Sequence, residues 1–308
     1  MPPSPSPPTA RPASTLPPEP AASVAGIPHS VVRQVNHLIE FGPYTVEVDA
    51  TDGGRIVRFA LEGRSIVATR SESPEAYGSS IWPSPQSDWE WPPPPAFNTL
   101  AWQTRGEGSA LVLESGTDDK LQLAGVQRLT ADLERGQLCI DVTFVNRGNE
   151  PRSVAPWQNT RVRPRGLTFY PSSRPAYDWS SLRLAPQDGV VWFQHDPEKL
   201  RESAKLYADG EEGWVAHVDG DLILVKVFPN VPPEQQAPRE GEIIIYVHES
   251  GRFVEVEQQG AYATLLPGEA FTWPVRWILR RLPPDVVARP GNPRLVQFVR
   301  SVVAASRP

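Results

Sequence analysis

One cysteine, one methionine and five histidines are the only sulfur and imidazole side chains in this 308-residue sequence. With Cys139 alone, no intrachain disulfide can form and no thiolate zinc site is available. The histidines (His29, His37, His195, His217, His248) are scattered and share no HxxxH or HExxH spacing. No Asp cluster marks an oxygen-only site either, so the expectation is a protein with no catalytic metal and no cofactor. No stretch approaches the ~18 consecutive apolar residues of a membrane span. Runs of Lys or Arg are also missing and the net charge is −6. A nucleic-acid partner needs a basic face, so none is expected. The first residues lack a charged-then-apolar signal pattern. The chain therefore reads as cytoplasmic as written, and as periplasmic or exported if the true start lies upstream of its Pro/Ala/Ser-rich leader.

Proline, by contrast, is abundant at 36 residues. Ten prolines fall within residues 1–28, which contain almost no large apolar side chain. Such a segment cannot bury enough surface to offset chain entropy, so a disordered tail is expected over 1–28. The second concentration is Gly78 to Phe97, GSSIWPSPQSDWEWPPPPAF. Proline fixes φ and removes a backbone donor, so this stretch reads as a stiff loop rather than a helix or central strand. Its three tryptophans, Trp82, Trp89 and Trp91, have two readings. They cap the end of a β core, or they form a platform on which a flat ligand stacks, with Gln86, Asp88 and Glu90 adding polar contacts.

From residue 29 to 308 a single domain is expected. GPYTVEVDA, RIVRFALEG, RSIVATR, SALVLESG, KLQLAGVQRLTADL and QLCIDVTFVNRG alternate apolar and polar residues. VAPWQNTRV, GLTFYP, GVVWFQ, GWVAHVDG, DLILVKVFP, EIIIYVHES, RFVEVEQQ and AFTWPVRWIL continue the pattern. Period-two alternation rich in β-branched residues is the strand signature. Asp52-Gly53-Gly54 reads as a hairpin-type turn, and Asn146 to Glu150 as a tight one. Val31 to Phe41 is open between helix and strand. A short helix is expected at Pro197 to Ala204. Another is expected near the C-terminus, where Leu295, Phe298, Val299, Val302 and Val303 recur at helical spacing behind Asn292-Pro293. Cys139, inside LCIDVTFV, reads as a small core residue. Many strands without a blade or solenoid repeat make two large packed sheets, an all-β sandwich.

Three pieces carry a resemblance. They are Gly53-Gly54-Arg55-Ile56, then Trp82-Pro83-Ser84-Pro85-Gln86 with Trp89, then Phe253 to Gly260 followed by Leu266-Pro267-Gly268-Glu269 and Trp273 to Trp277. Their order and spacing over residues 40–283 resemble an uncharacterised bacterial family within the galactose mutarotase-like superfamily. The turn VNRGNEPRSVAPW fits the same pattern. The resemblance implies a β-supersandwich of two large antiparallel sheets with a sugar cleft on a concave face. Authentic aldose 1-epimerases pair a late carboxylate base, a Glu with Gln two residues on, with a mid-chain histidine acid. Glu257 and Gln259 match the first motif. Ala155 to Thr160 stands where the histidine belongs and contains none. Mutarotation needs both a proton donor and an acceptor.

Glu257 is therefore the catalytic candidate. Strand alternation sets it on one face with Phe253 and Glu255, turned to solvent or to a cleft. The substrate-binding candidates are Arg55, Trp82, Gln86, Trp89, Trp91, Arg161 and Glu255. Arg55 follows a Gly pair, and is open between a salt bridge and a sugar-hydroxyl contact. His195 and His248 are the histidines expected nearest a cleft, where either would serve as a re-sited acid. Lys226 interrupts LILV-K-VF and reads as an outward-facing strand residue, with a buried amine as the alternative. The leading function is a carbohydrate-binding, mutarotase-like monomer whose cleft is lined by the Trp loop. The alternatives are an active epimerase and a structural module of the cell envelope. Exposure of Trp82, Trp89 and Trp91 separates binding from mere cover.

Overall fold

The computed structural model describes residues 36–196, 198 and 202–306. The tail expected over 1–28 and the domain start at residue 29 lie outside them. The first strands are β1 (Asn36–Phe41), β2 (Tyr44–Asp49), β3 (Arg55–Leu61) and the two-residue β4 (Arg64–Ser65). β5 (Ser79–Ser84) precedes a 3-10 turn and a one-turn helix, α1 (Pro95–Asn98). Then come β6 (Gln103–Glu107), β7 (Ala110–Glu114), β8 (Leu123–Asp132) and β9 (Gln137–Asn146). The middle of the chain holds β10 (Arg152–Val162), β11 (Gly166–Pro171), β12 (Val190–His195) and β13 (Ala204–Ala208). β14 (Trp214–Asp219), β15 (Leu222–Val227), β16 (Ile243–Val247) and β17 (Val254–Gln259) follow. β18 (Ala263–Leu265), β19 (Ala270–Arg281) and the helix α2 (Pro293–Ser306) complete it.

All pairings are antiparallel, in two sheets. One is ten-stranded and runs β1-β2-β3-β5-β10-β17-β16-β13, with β4 on β3 and β18 on β10. The other is nine-stranded and runs β12-β11-β14-β15-β19-β9-β8-β7-β6. The expected all-β sandwich with a C-terminal helix is what forms. Alternation explains how its layers close. Leu224 of β15 joins the main core between the sheets, whereas Ile223, Val225 and Val227 pack with Leu295, Val299 and Val303 of α2. The nine-stranded sheet is thus covered on both faces here. Asn292 starts α2 as read from sequence, its Oδ1 accepting from the Arg294 N–H at 3.1 Å.

Four expectations change. Ser79–Ser84 is not a loop but a strand inside the larger sheet, paired along its length with β10. Pro83 sits directly opposite Pro156. Two facing prolines can only occupy a pair that exchanges no N–H···O bonds, so neither missing donor is needed there. Among the described residues β3 meets β5 at Ser79 alone, opposite Ile56, so Pro83 leaves no second neighbour short. Cys139 is half-buried rather than core; β9 alternates, and Leu138, Ile140 and Val142 take the inward face. The helix expected at Pro197 to Ala204 falls partly outside the described residues, and Ala204 opens strand β13. Lys226 points inward: with Val225 and Val227 under α2, position 226 faces the space between the sheets.

The Gly pair does what its sequence suggested. Gly53 has φ +70° and Gly54 φ +59°, and a Cβ on either would come within 2.6 Å of Asn98 or Trp102. The β2–β3 turn therefore packs backbone-close against the chain beyond the Trp loop, and Gly53 N–H donates to Leu100 O at 3.0 Å.

Candidate binding cleft

On the face of the ten-stranded sheet turned away from its partner, side chains line up in rows across the strands. Register pairs Arg161 with Glu255, Glu255 with Tyr246, and Tyr246 with Lys205. Trp82 pairs with Trp157, and Trp157 with Gln259. The alternate residues of β10 face the other way: Thr160 meets Lys226 Nζ at 3.0 Å, and Gln158 Oε1 meets the Trp277 indole at 2.8 Å. Over this face lies a cleft of about 560 Å³. That volume is in the range of small-molecule sites.

Trp82, Trp91 and Trp157 form one wall; Trp89, expected to bind ligand, does not line the cleft but packs buried against Trp82. Trp157 stands edge-on to Trp82 at 5.2 Å, and Trp89 and Trp91 stand edge-on to Trp82 at 6.1 and 6.3 Å. Each such contact adds about 0.5–1.5 kcal/mol to simple burial. Trp89 donates its indole N–H to Pro83 O at 2.7 Å, tying the proline loop to β5. Trp82 and Trp89 are buried, but Trp91 is 71% exposed at the cleft. The cover and platform readings are thus divided among the three: Trp82 and Trp89 support, and Trp91 presents a free ring.

The structure brings most of the expected site residues together. Arg55, Trp82, Gln86, Trp91, Arg161 and Glu255 all line the cleft. Arg161 donates to Glu255 Oε1 at 2.9 Å and to Ser80 Oγ at 2.7 Å, with its guanidinium 5.0 Å over Trp82. Gln86 accepts from Lys205 Nζ at 3.3 Å. Arg55 is less free than expected. It donates to Tyr77 O and Asn98 O, each at 2.9 Å, and so clamps two loops. Burial, then the Arg161 charge, lowers its guanidinium to about 10.

Glu257 differs most from expectation. It shares the cleft face of β17 with Glu255, but it is fully buried and is not among the lining residues. Its Oε2 accepts from the Trp157 indole N–H, which covers it, and its Oε1 has no partner among the described residues. Both amide atoms of Asn159, also fully buried, are unpartnered too. Burial, followed by repulsion from Glu255, pushes the Glu257 carboxyl up to about 8. A carboxyl in that state is mostly protonated at neutral pH.

His195 is not at the cleft. It is buried with His217, both bonded to Thr168 Oγ1 at 2.7 and 3.0 Å. Desolvation holds His217 down to about 4 and His195 well below its ordinary value. His248 does line the cleft, its ring stacked on Phe253 at 4.9 Å. Lys226 is a buried amine bonded to Thr160 Oγ1 and Val256 O, and desolvation drives it well below the usual lysine value.

Sequence reasoning missed Trp157, Lys205, Tyr207 and Tyr246 as cleft residues. Trp157 was legible as a strand residue but lies about 70 positions from the Trp loop. Lys205 and Tyr207 belong to β13, where the sequence suggested the end of a helix.

The chain's likeness to known proteins agrees with this architecture. The family model described as Domain of unknown function (DUF4380) matches residues 38–280. No curated protein matches the sequence. Among solved structures, a putative aldose 1-epimerase from Escherichia coli is 14% identical, with 80% of this chain and 99% of that one covered and a TM-score of 0.54. A galactose mutarotase-like protein from Clostridium acetobutylicum is 11% identical, covering 80% and 95%, with a TM-score of 0.54. Another from Lactobacillus casei is 12% identical, covering 80% and 100%, with a TM-score of 0.57. At such identities the likeness is one of fold, and the fold is galactose mutarotase-like.

Proposed function

The chain belongs to the DUF4380 family, and on that premise we propose that it is a carbohydrate-binding protein whose ligand lies in the Trp-lined cleft. The observation that carries the reading is Trp91. A large apolar ring left 71% exposed, braced edge-on by a buried indole and opening on polar groups, is built for stacking on the apolar face of a pyranose. Gln86, Arg161 and Glu255 supply donors and acceptors for ring hydroxyls, while Trp82 and Trp157 keep the wall rigid. Trp89 contributes as a strut beneath it. Arg55 shapes the cleft by clamping the loops at Tyr77 and Asn98.

The test is calorimetry against a panel of mono- and oligosaccharides. Trp91→Ala is expected to weaken binding by roughly 1–3 kcal/mol, taking the range for losing a large apolar contact. Its melting temperature should stay within a degree or two of wild type, because the ring is exposed. Unchanged affinity in Trp91→Ala, or a wild type that takes up no sugar, overturns the reading.

A second reading, aldose mutarotation with Glu257 as base and His248 as a re-sited acid, has one observation in its favour. The Glu257 carboxyl, at about 8, lies near the operating pH. Against it stands the Trp157 indole over that carboxyl. Polarimetry separates the two: a binder leaves the rate of sugar mutarotation at its uncatalysed value.

A further inference from the structure

Lys205 is a cleft cation whose three donors the protein fills only in part, with Gln86 Oε1 and the Tyr207 hydroxyl as partners. It lies on β13, the edge strand of the ten-stranded sheet, in one row with Arg161, Glu255 and Tyr246. Its ammonium sits 4.9 Å from the centres of both the Trp157 and Tyr207 rings. Its hydrogen bond to Gln86 Oε1 is long, at 3.3 Å. Among the described residues no carboxylate comes within ion-pair distance of it. Glu255 is taken by Arg161 and stands two strands away, roughly 10 Å at the usual strand spacing. Glu240 accepts from Gln86 N–H at 2.9 Å and Gln259 Nε2 at 3.0 Å, so both its oxygens are engaged. Glu257 gives Oε2 to Trp157, and its unpartnered Oε1 makes no ion pair with Lys205.

Burial works against the Lys205 charge, but Glu257, Tyr207 and Glu240 outweigh it and the ammonium is held above its ordinary value. It is a cation at neutral pH. A cation held between two ring faces, lining an open cleft, with a donor left over, is a binding group for an anion. The protein as a whole carries a net charge of −6, so its overall field repels anions and the attraction must be local.

The geometry points to an oxyanion-bearing sugar as the ligand of this cleft, its carboxylate or phosphate pairing with the Lys205 ammonium while the ring lies against Trp91. The inference rests on the reading that the cleft binds sugar, and adds the class. Carboxylate and phosphate share the chemistry that Lys205 recognises, and they are told apart by experiment.

The experiment titrates the full chain with glucuronate and galacturonate, with glucose 6-phosphate and galactose 6-phosphate, and with glucose and galactose. Wild type is expected to prefer one anionic class over its neutral counterpart by at least about tenfold, the scale of a hydrogen bond to a charged group. Whichever of uronate and phosphate binds tighter identifies the source of the charge. Lys205→Met, which keeps the apolar stem, should bring the anionic and neutral sugars to within about twofold of each other. Raising ionic strength on wild type should erode the same preference, and this arm does not depend on the variant folding. Neutral sugars bound as tightly as anionic ones overturn this inference and leave the sugar cleft standing. So does a preference that survives Lys205→Met or high salt. Binding of neither class overturns both.

Discussion

In Glu257→Gln, stability relative to wild type is expected to climb as the pH rises from about 4.5 to about 8. The wild-type carboxyl titrates near 8 in the folded protein, against an ordinary value of 4.5. Between those values the folded state holds a proton that the unfolded state has lost, so each step up in pH lowers wild-type stability. The contribution is fully present below about 4.5 and gone above about 8. Glutamine keeps the shape and still offers an oxygen to the Trp157 indole, but it carries no such proton. The shift corresponds to a few kcal/mol between the two ends of the window. A domain of this size gains roughly 2–4 °C of melting temperature per kcal/mol. Paired thermal melts at about pH 5 and pH 8.5 read it directly. A constant offset between the two proteins across that range would mean that the carboxyl is ionised in the fold throughout, and the account of a neutral, buried Glu257 would be wrong.

How much of this was legible beforehand depends on the range of the physical signal. Alternation is local, so the strands and α2 could be read from neighbouring residues. The order of strands within each sheet could not, because it is set by contacts between segments far apart in the chain. Trp91 was legible as a ring on a rigid loop. That Trp82 and Trp89 would support it depended on Trp157 arriving from β10. Glu257 stood out by its spacing to Gln259, yet its burial is caused by the same Trp157. Lys205 went unnoticed because the segment before it, DPEKLRESA, has the composition of a helix. The proline rule failed at Pro83 because it concerns lost ladder bonds, and the facing Pro156 occupies a site where none is made. Lys226 was assigned outward on the assumption that a charged residue in an apolar strand marks a wet face. In β15 neither face is wet: one meets the ten-stranded sheet, the other α2.

Lys226→Met should give the opposite slope. The folded amine is held well below its ordinary value of 10.5 by desolvation, so the folded state has shed a proton that the unfolded chain keeps. Wild-type stability from this group therefore rises with pH, and is fully regained only above about 10.5. Methionine removes that dependence. Relative to wild type, Lys226→Met is expected to be at its best at low pH and to lose its advantage as the pH climbs. Thr160 Oγ1 and Val256 O each lose a donor, at about 1 kcal/mol apiece. Relief of desolvation opposes that loss, since Met fills a similar volume with no polar atom to bury. The competing description is a buried ion pair, Lys226 ammonium with Glu257 carboxylate. Breaking such a pair costs about 3–5 kcal/mol, because one charge is left uncompensated. Both single variants would then melt far below wild type near pH 6, and the double variant Glu257→Gln/Lys226→Met would recover much of the loss. Two neutral groups predict the reverse: neither single variant melts far below wild type near pH 6, their difference curves slope in opposite directions with pH, and in the double variant the two slopes offset. Urea midpoints of the four proteins at about pH 6 and pH 9 decide between the two.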